Sequence, residues 1–132
     1  MVVMTRNYDD FISLEDRCHI ANETNSDIFV SIHCSPFIST DAEEIETYFY
    51  PDSYKRMRLA TFIQGKLIER RDRMDRSVKE GNYYVLKNTG MPTALTGLMF
   101  PSNFEECKVL SNAEAKEACA RAIFNGIMLY FN

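Results

Sequence analysis

A histidine closes the most apolar segment of the chain, DIFVSIH at residues 27–33, just before a stretch of small residues. Neutral imidazole binds metals well, and its pKa also suits general-base chemistry near neutral pH. Functional groups of α/β proteins concentrate beyond the carboxyl ends of strands. His33 is therefore a candidate metal ligand or catalytic base. The alternative is a structural histidine hydrogen-bonded to a neighbouring backbone group.

The other residues of metal-binding type form no recognisable motif. No Cys-x-x-Cys pair occurs, which argues against a zinc-ribbon or thioredoxin-like site and leaves disulfides without support. We interpret the cysteines mainly as packing residues; they are Cys18, Cys34, Cys107 and Cys119. His19 lies off the apolar face of its predicted helix, so we expect a solvated side chain there.

The composition is that of a single globular domain covering residues 1–132. The chain is 45% hydrophobic and 26% charged, with a formal net charge of -4. A mildly acidic chain without a basic stripe argues against a nucleic-acid partner. No apolar run is long enough to cross a membrane, and the first ten residues do not have the pattern of a signal peptide.

Hydrophobic periodicity predicts alternating strands and helices, and hence an α/β domain with helices on both faces of a mixed sheet. The predicted strands are VVMT near Met1, 27–33, 44–50, 83–87 and 93–100. The predicted helices are 13–25 with Ser13 as N-cap, 53–72, 101–110 and 112–131. We expect 27–33 to be central in the sheet and 44–50 to lie nearer an edge. The abrupt start within a strand suggests an unusually small sheet or a lost N-terminal unit.

Motifs in nearly all of the chain, taken in order, resemble those of zinc-dependent N-acetylmuramoyl-L-alanine amidases, the Amidase_3 type of cell-wall hydrolase. The first group of matches ends in a Ser-Ile-His strand and comprises Thr5, Arg6, Asp9, Leu14, Arg17, Ala21, Asn22, Ser31, Ile32 and His33. The resemblance continues through EIETYFY, DRSVKEGNYYVLKNTGMPTAL, FPSNFEECKVL and AIFNGIMLYF.

The resemblance implies a three-layer domain with a mostly parallel sheet. It also implies hydrolysis of the amide between the lactyl group of N-acetylmuramic acid and L-alanine of the stem peptide. In that family, two histidines and a glutamate hold a zinc ion that activates water, and a second glutamate acts as general base.

Two departures from the family pattern predict impaired or absent catalysis. His33 matches the second zinc histidine, but the chain starts at the family's second strand and lacks the segments carrying the first histidine and the glutamate ligand. We therefore expect weak or no zinc binding. Aligning Pro92 and Asn103 with the family motif places Gly97 where the catalytic glutamate belongs. Glycine has no group that accepts a proton.

The resemblance assigns further residues to substrate binding or to support of the site: Glu46, Arg76 and Asn103. An edge-strand surface charge is the alternative for Glu46, and a solvated loop is the alternative for Arg76 and Lys79. We expect Glu44 to point outward. Glu106 matches an acidic family position and also suits a helix N-terminus.

These observations leave three hypotheses for function. The chain is a truncated amidase domain with little activity, a pseudo-amidase that binds muropeptide or a partner, or a domain that self-associates through an incomplete sheet. The resemblance implies peptidoglycan or muropeptide as ligand and the cell wall as location, although the chain carries no export signal.

Overall fold

The computed structural model describes residues 1–37, 43–70, 73–101 and 113–132. The helices are α1 (Leu14–Glu23), α2 (Tyr54–Ile68), α3 (Tyr84–Lys87) and α4 (Ala113–Phe131). The strands are β1 (Phe29–Phe37), β2 (Glu43–Phe49), β3 (Arg73–Glu80) and β4 (Thr93–Pro101).

The four strands form one mixed sheet in the order β1-β4-β2-β3. β1 and β4 are parallel, as are β2 and β3, whereas β2 and β4 are antiparallel. The predicted α/β class with a mixed, mostly parallel sheet is confirmed.

Helices cover both faces of the sheet, as predicted. On one face α2 and α4 pack on the sheet, and the buried core there includes Leu59, Ile63 and Ile45. On the other face α1 and α3 enclose a smaller core that contains Cys18 and Leu95. The domain therefore has three layers, with the sheet in the middle.

Local signals set the limits of α1. The Oγ of Ser13 accepts a hydrogen bond from the backbone N–H of Asp16 at 3.1 Å, which confirms the predicted N-cap. His19 is exposed, so the predicted solvated position of its side chain is also confirmed.

Two predicted strands are wrong. Residues 2–5 form no strand, because nothing in the described part of the chain pairs with them. Residues 84–87 form the helical turn α3, in which the N–H groups of Leu86 and Lys87 both bond to the carbonyl of Tyr83. Val85 and Leu86 are both buried in this turn.

The predicted positions in the sheet are also wrong. Within the described residues, β1 is an edge strand and β2 an interior one. β4, the last of the described strands, lies between them, and this long-range pairing is not encoded in the local hydrophobic pattern. α2 ends at Ile68 rather than near residue 72, and the strand β3, which was not predicted, begins at Arg73. The predicted helix at 101–110 lies almost entirely outside the described residues.

No helix in the described ranges is both long and apolar enough to cross a membrane.

Candidate functional site

Three positions singled out by the sequence form a row across the sheet. Gly97 on β4 pairs with His33 on β1 in the parallel ladder, and with Glu46 on β2 in the antiparallel ladder. Directly paired residues of neighbouring strands share one face of a sheet. The row lies on the face covered by α1 and α3, because Phe29, four residues before His33, and Leu95, two residues before Gly97, contact the small core there.

His33 is half-buried, and its ring is held by its own strand. Its Nε2 lies 2.9 Å from the Oγ of Ser31, which is buried. Burial lowers the pKa of His33, and the positive charge of Arg17 lowers it further, so the ring is neutral at pH 7. His33 does not end its strand, since β1 continues to Phe37, and the partner is a side chain rather than the expected backbone group.

Gly97 leaves space in the middle of the row. A Cβ atom at this position would lie 3.7 Å from both the Cγ and the backbone oxygen of Glu46, which is ordinary van der Waals contact. The first atom of a side chain is therefore accommodated. The space around Gly97 therefore does not require glycine at this position.

Glu46 is the carboxylate of the row, and two cations hold it. Its Oε2 lies 2.9 Å from the Nζ of Lys79 and 3.5 Å from the Nε of Arg76. Burial alone would raise the pKa of Glu46. The hydrogen bonds from Lys79 and Tyr48, together with the charges of Lys79 and Arg76, outweigh burial and lower the pKa below its usual value. Glu46 is thus a stably ionised group and a poor proton acceptor.

Tyr48 and Tyr83 close the site next to Glu46. Their ring centroids are 4.9 Å apart in an edge-to-face arrangement. Burial raises the pKa of Tyr48 far above its ordinary value, and the hydrogen bonds to Glu46 and Tyr83 raise it further. Tyr48 therefore stays protonated and donates to Glu46.

Glu44 corrects an expectation, because its side chain is buried and does not point outward. The Nη1 of Arg76 donates to its Oε2 at 2.6 Å, and only 4% of the Glu44 side chain is exposed. Arg76 and Lys79 correct another expectation, since both lie on β3 and not in a solvated loop. A carboxylate is buried here because a guanidinium accompanies it.

A bulge in β3 brings both cations to the same face. The register with β2 shifts between Ile45, which pairs with Asp75, and Thr47, which pairs with Val78. Ser77 takes up the extra residue with a φ of 73°, and its N–H bonds to the Asp75 Oδ1 at 2.8 Å. Bulges re-aim side chains in this way. The bulge was not predicted from the sequence, although Asp side chains often accept a hydrogen bond from the backbone N–H two residues further on.

A buried glutamine of α2 supports the bulge from the other face of the sheet. The Nε2 of Gln64 donates to the Asp75 Oδ1 at 2.7 Å and to the Ile45 carbonyl at 2.8 Å. Its Oε1 accepts a hydrogen bond from the Thr47 hydroxyl at 2.8 Å. Gln64 therefore ties α2 to both strands that carry the charged residues.

The described residues do not fit a three-ligand zinc site. No three His, Cys, Asp or Glu side chains of the described ranges are grouped so that they could hold a metal ion. The Nε2 of His33 is occupied by Ser31, and Glu46 is occupied by its two cations. Asn103, which the resemblance assigns to the site, and Glu106, which matches an acidic family position, lie outside the described residues.

The ion pairs of Glu46 predict a pH-dependent contribution to stability. A carboxyl whose pKa is lowered by folding stabilises the fold fully above its unfolded pKa, and this contribution is lost as the pH falls through the folded pKa. In urea denaturation at pH 7, the parent should therefore have a larger unfolding free energy than Glu46→Gln, and this difference should shrink below the ordinary pKa of 4.5. A difference that is constant from pH 7 to 3 would contradict a lowered pKa for Glu46.

Comparison with known proteins places these observations in a family. The family model for N-acetylmuramoyl-L-alanine amidase, Amidase_3, matches residues 1–128. YqiI of Bacillus subtilis is 36% identical over 132 residues, covering 98% of this chain and 64% of that protein. The amidase LytC of the same organism is 35% identical over 132 residues, covering 98% of this chain and 26% of LytC. The chain thus spans less than two thirds of the length of either relative.

Solved structures agree with this comparison. An N-acetylmuramoyl-L-alanine amidase of Clostridium difficile 630 has a TM-score of 0.84 at 28% identity, covering 99% of this chain and 72% of that one. The CwlD amidase of Clostridioides difficile, solved in complex with the GerS lipoprotein, has a TM-score of 0.86 at 28% identity, covering 99% of this chain and 75% of that one. The order of motifs, the three-layer fold and these matches agree: the chain belongs to the N-acetylmuramoyl-L-alanine amidase family, Amidase_3.

Proposed function

We propose that this chain is a peptidoglycan-directed amidase domain that does not by itself cleave the bond between the lactyl group and L-alanine. One observation carries the proposal. Gly97 lies at the centre of the row, between His33 and Glu46, and the sequence resemblance aligns this glycine with the family's general base. Amide hydrolysis requires a group that takes a proton from the attacking water within hydrogen-bond reach.

The carboxylates beside Gly97 do not replace that base. Glu46 is ionised and bound by Lys79, and its lowered pKa disfavours taking a proton. Glu44 is buried in its ion pair with Arg76. His33 is neutral, but its Nε2 is bonded to Ser31. Each candidate acceptor of the described site is therefore already engaged.

Zinc binding by this chain is proposed to be weak or absent. The family resemblance assigns His33 to one ligand position, and a catalytic zinc site needs three protein ligands. The described residues supply no such set. We therefore derive no catalytic step through a metal.

A binding role at the cell wall is the second part of the proposal. Relatives include a protein named as a probable cell wall amidase in Staphylococcus epidermidis. Although paired, the side chains of Arg76 and Lys79 remain 36% and 40% exposed. These two cations are therefore accessible to the carboxylates of a stem peptide, which favours muropeptide as the ligand.

Digestion of purified peptidoglycan tests the first part. With zinc present, the chain should release no peptides with N-terminal L-alanine above the level of a heat-inactivated sample. Release that the His33→Ala variant loses would overturn the proposal.

Calorimetric titration with a MurNAc-peptide tests the second part: we expect binding that the Lys79→Gln variant weakens. No measurable heat with the folded parent would contradict a binding role.

A further inference from the structure

A pair of tyrosines lies beside the charged residues of the site, and the outer one offers an exposed aromatic surface. Tyr48 of β2 pairs directly with Lys79 of β3 and contacts the small core on the face that carries Glu46. Tyr83, at the start of α3, packs on Tyr48 with an interplanar angle of 71°. Tyr83 is 45% exposed. Since Tyr48 contacts Tyr83 and neighbours Lys79 on the next strand, the exposed ring and the ammonium belong to one site.

The surrounding backbone holds the Tyr83 ring in place. A Cβ atom on Gly81 would lie 2.9 Å from the Cδ2 and 3.0 Å from the Cε2 of Tyr83, so this edge of the ring lies directly against the glycine. The Gly81 N–H donates to the Phe49 carbonyl at 2.9 Å, which ties the glycine to the end of β2. The Tyr83 carbonyl accepts hydrogen bonds from Leu86 and Lys87. A side chain that is already fixed loses little conformational entropy when a ligand binds to it.

The charged residues next to Tyr83 present their cations to solvent and bury their carboxylates. The side chains of Arg76 and Lys79 are 36% and 40% exposed. Those of Glu44 and Glu46 are 4% and 14% exposed. A cationic group of a ligand is therefore repelled from this surface, although aromatic faces attract cations. An anionic group prefers Lys79 to the negative face of an aromatic ring. The ligand group that suits Tyr83 is thus neutral and has an apolar face.

We propose that Tyr83 packs against the pyranose ring of N-acetylmuramic acid while Lys79 binds a carboxylate of the attached peptide. This inference rests on the proposed binding of muropeptide and adds which side chain recognises which part of it. The C–H groups on one face of a pyranose form an apolar surface with a polar rim of hydroxyls, and a tyrosine likewise has an apolar body and a polar tip. The L-alanine of the stem peptide offers only a methyl group, so the sugar is the better match for the ring.

Lys79 retains hydrogen-bonding capacity for the peptide half of the ligand. A lysine ammonium has three N–H donors, and in the described contacts Glu46 accepts from one of them at 2.9 Å. Glu46 thereby holds the ammonium beside Tyr48, and the exposed side of the ammonium can donate to a ligand carboxylate. Two contacts of different chemistry then recognise the sugar and the peptide separately.

Calorimetric titration with two ligands tests the proposal: a MurNAc-peptide, and the same peptide with an acetyl group in place of the lactyl sugar. Tyr83→Leu should weaken binding of the MurNAc-peptide about threefold to tenfold, as expected for the loss of one aromatic contact, and leave binding of the acetyl-peptide unchanged. Lys79→Gln should weaken binding of both ligands. Tyr83→Phe keeps the ring and should keep the parent's preference for the sugar-bearing ligand. Tyr54→Leu is the matched control, because Tyr54 is 72% exposed at the start of α2, on the opposite face of the sheet, and should affect neither ligand.

The two ligands separate a failure of this inference from a failure of the binding role. Equal loss of both ligands in Tyr83→Leu, or loss of neither, would overturn the sugar contact and leave peptide binding by Lys79 standing. A folded parent that binds neither ligand would overturn both. Saturation-transfer NMR on the parent keeps the test decisive if Tyr83→Leu does not fold. The ring C–H protons of the sugar should then be saturated more strongly than the methyl protons of L-alanine, and the reverse order would contradict the proposal.

Discussion

The Gly126→Ala variant is expected to lose about 2–3 kcal/mol of unfolding free energy, because α2 and α4 are in backbone contact at this glycine. A Cβ atom on Gly126 would lie 2.7 Å from the Cα of Ile63 and 2.8 Å from the carbonyl oxygen of Phe62. Both are backbone atoms of α2 and cannot rotate away, so the helices must separate. Separation would loosen the buried contacts among Cys119, Ile123 and Ile63.

Gly65→Ala is the matched control for this prediction. Gly65 lies within α2, and a Cβ atom there would have no neighbour within 4 Å. Alanine is preferred over glycine in a helix by up to about 1 kcal/mol, so this variant should be more stable than the parent. Urea denaturation of all three proteins measures both effects. Equal shifts in the same direction for the two variants would contradict the helix contact.

Elements with local signals could be predicted from the sequence. A cap at Ser13 and an apolar face fixed α1, and continuous apolar runs identified β1 and β4. The order of the strands depends on long-range pairing, which hydrophobic patterns do not encode. The apolar character of 27–33 indicated a central strand, yet that strand is at the edge of the described sheet.

The candidate site was predictable in its residues but not in its contacts. Motif order identified His33 and Gly97, and the structure pairs them in adjacent strands. Whether Glu44 is buried depended on Arg76, 32 residues away in the chain, and on the bulge at Ser77. A charged residue gives the same sequence signal whether it is solvated or buried with a partner, so only the tertiary structure distinguishes the two.

Gln64→Met is expected to cost about 2–4 kcal/mol of unfolding free energy, since it removes one buried amide and leaves several partners unsatisfied. The Ile45 carbonyl loses its side-chain donor, the Thr47 hydroxyl loses an acceptor, and Asp75 loses a charge-assisted donor. Methionine has a similar volume, so little of the loss comes from a cavity. Guanidinium denaturation at pH 7 measures the effect.

Lys66→Met provides the control on the same helix, and it separates a buried network from a surface ion pair. Lys66 contacts Glu69 at 3.0 Å, but the Glu69 side chain is 63% exposed, so its loss should change stability by less than about 1 kcal/mol. A further readout is the effect of Glu46→Gln in the Gln64→Met background. If Gln64 holds the β3 bulge, its loss displaces Arg76 and Lys79. The loss of unfolding free energy that Glu46→Gln causes at pH 7 should then be smaller in the Gln64→Met background than in the parent. An unchanged Glu46 contribution would show that the bulge is held by Asp75 and Ser77 alone.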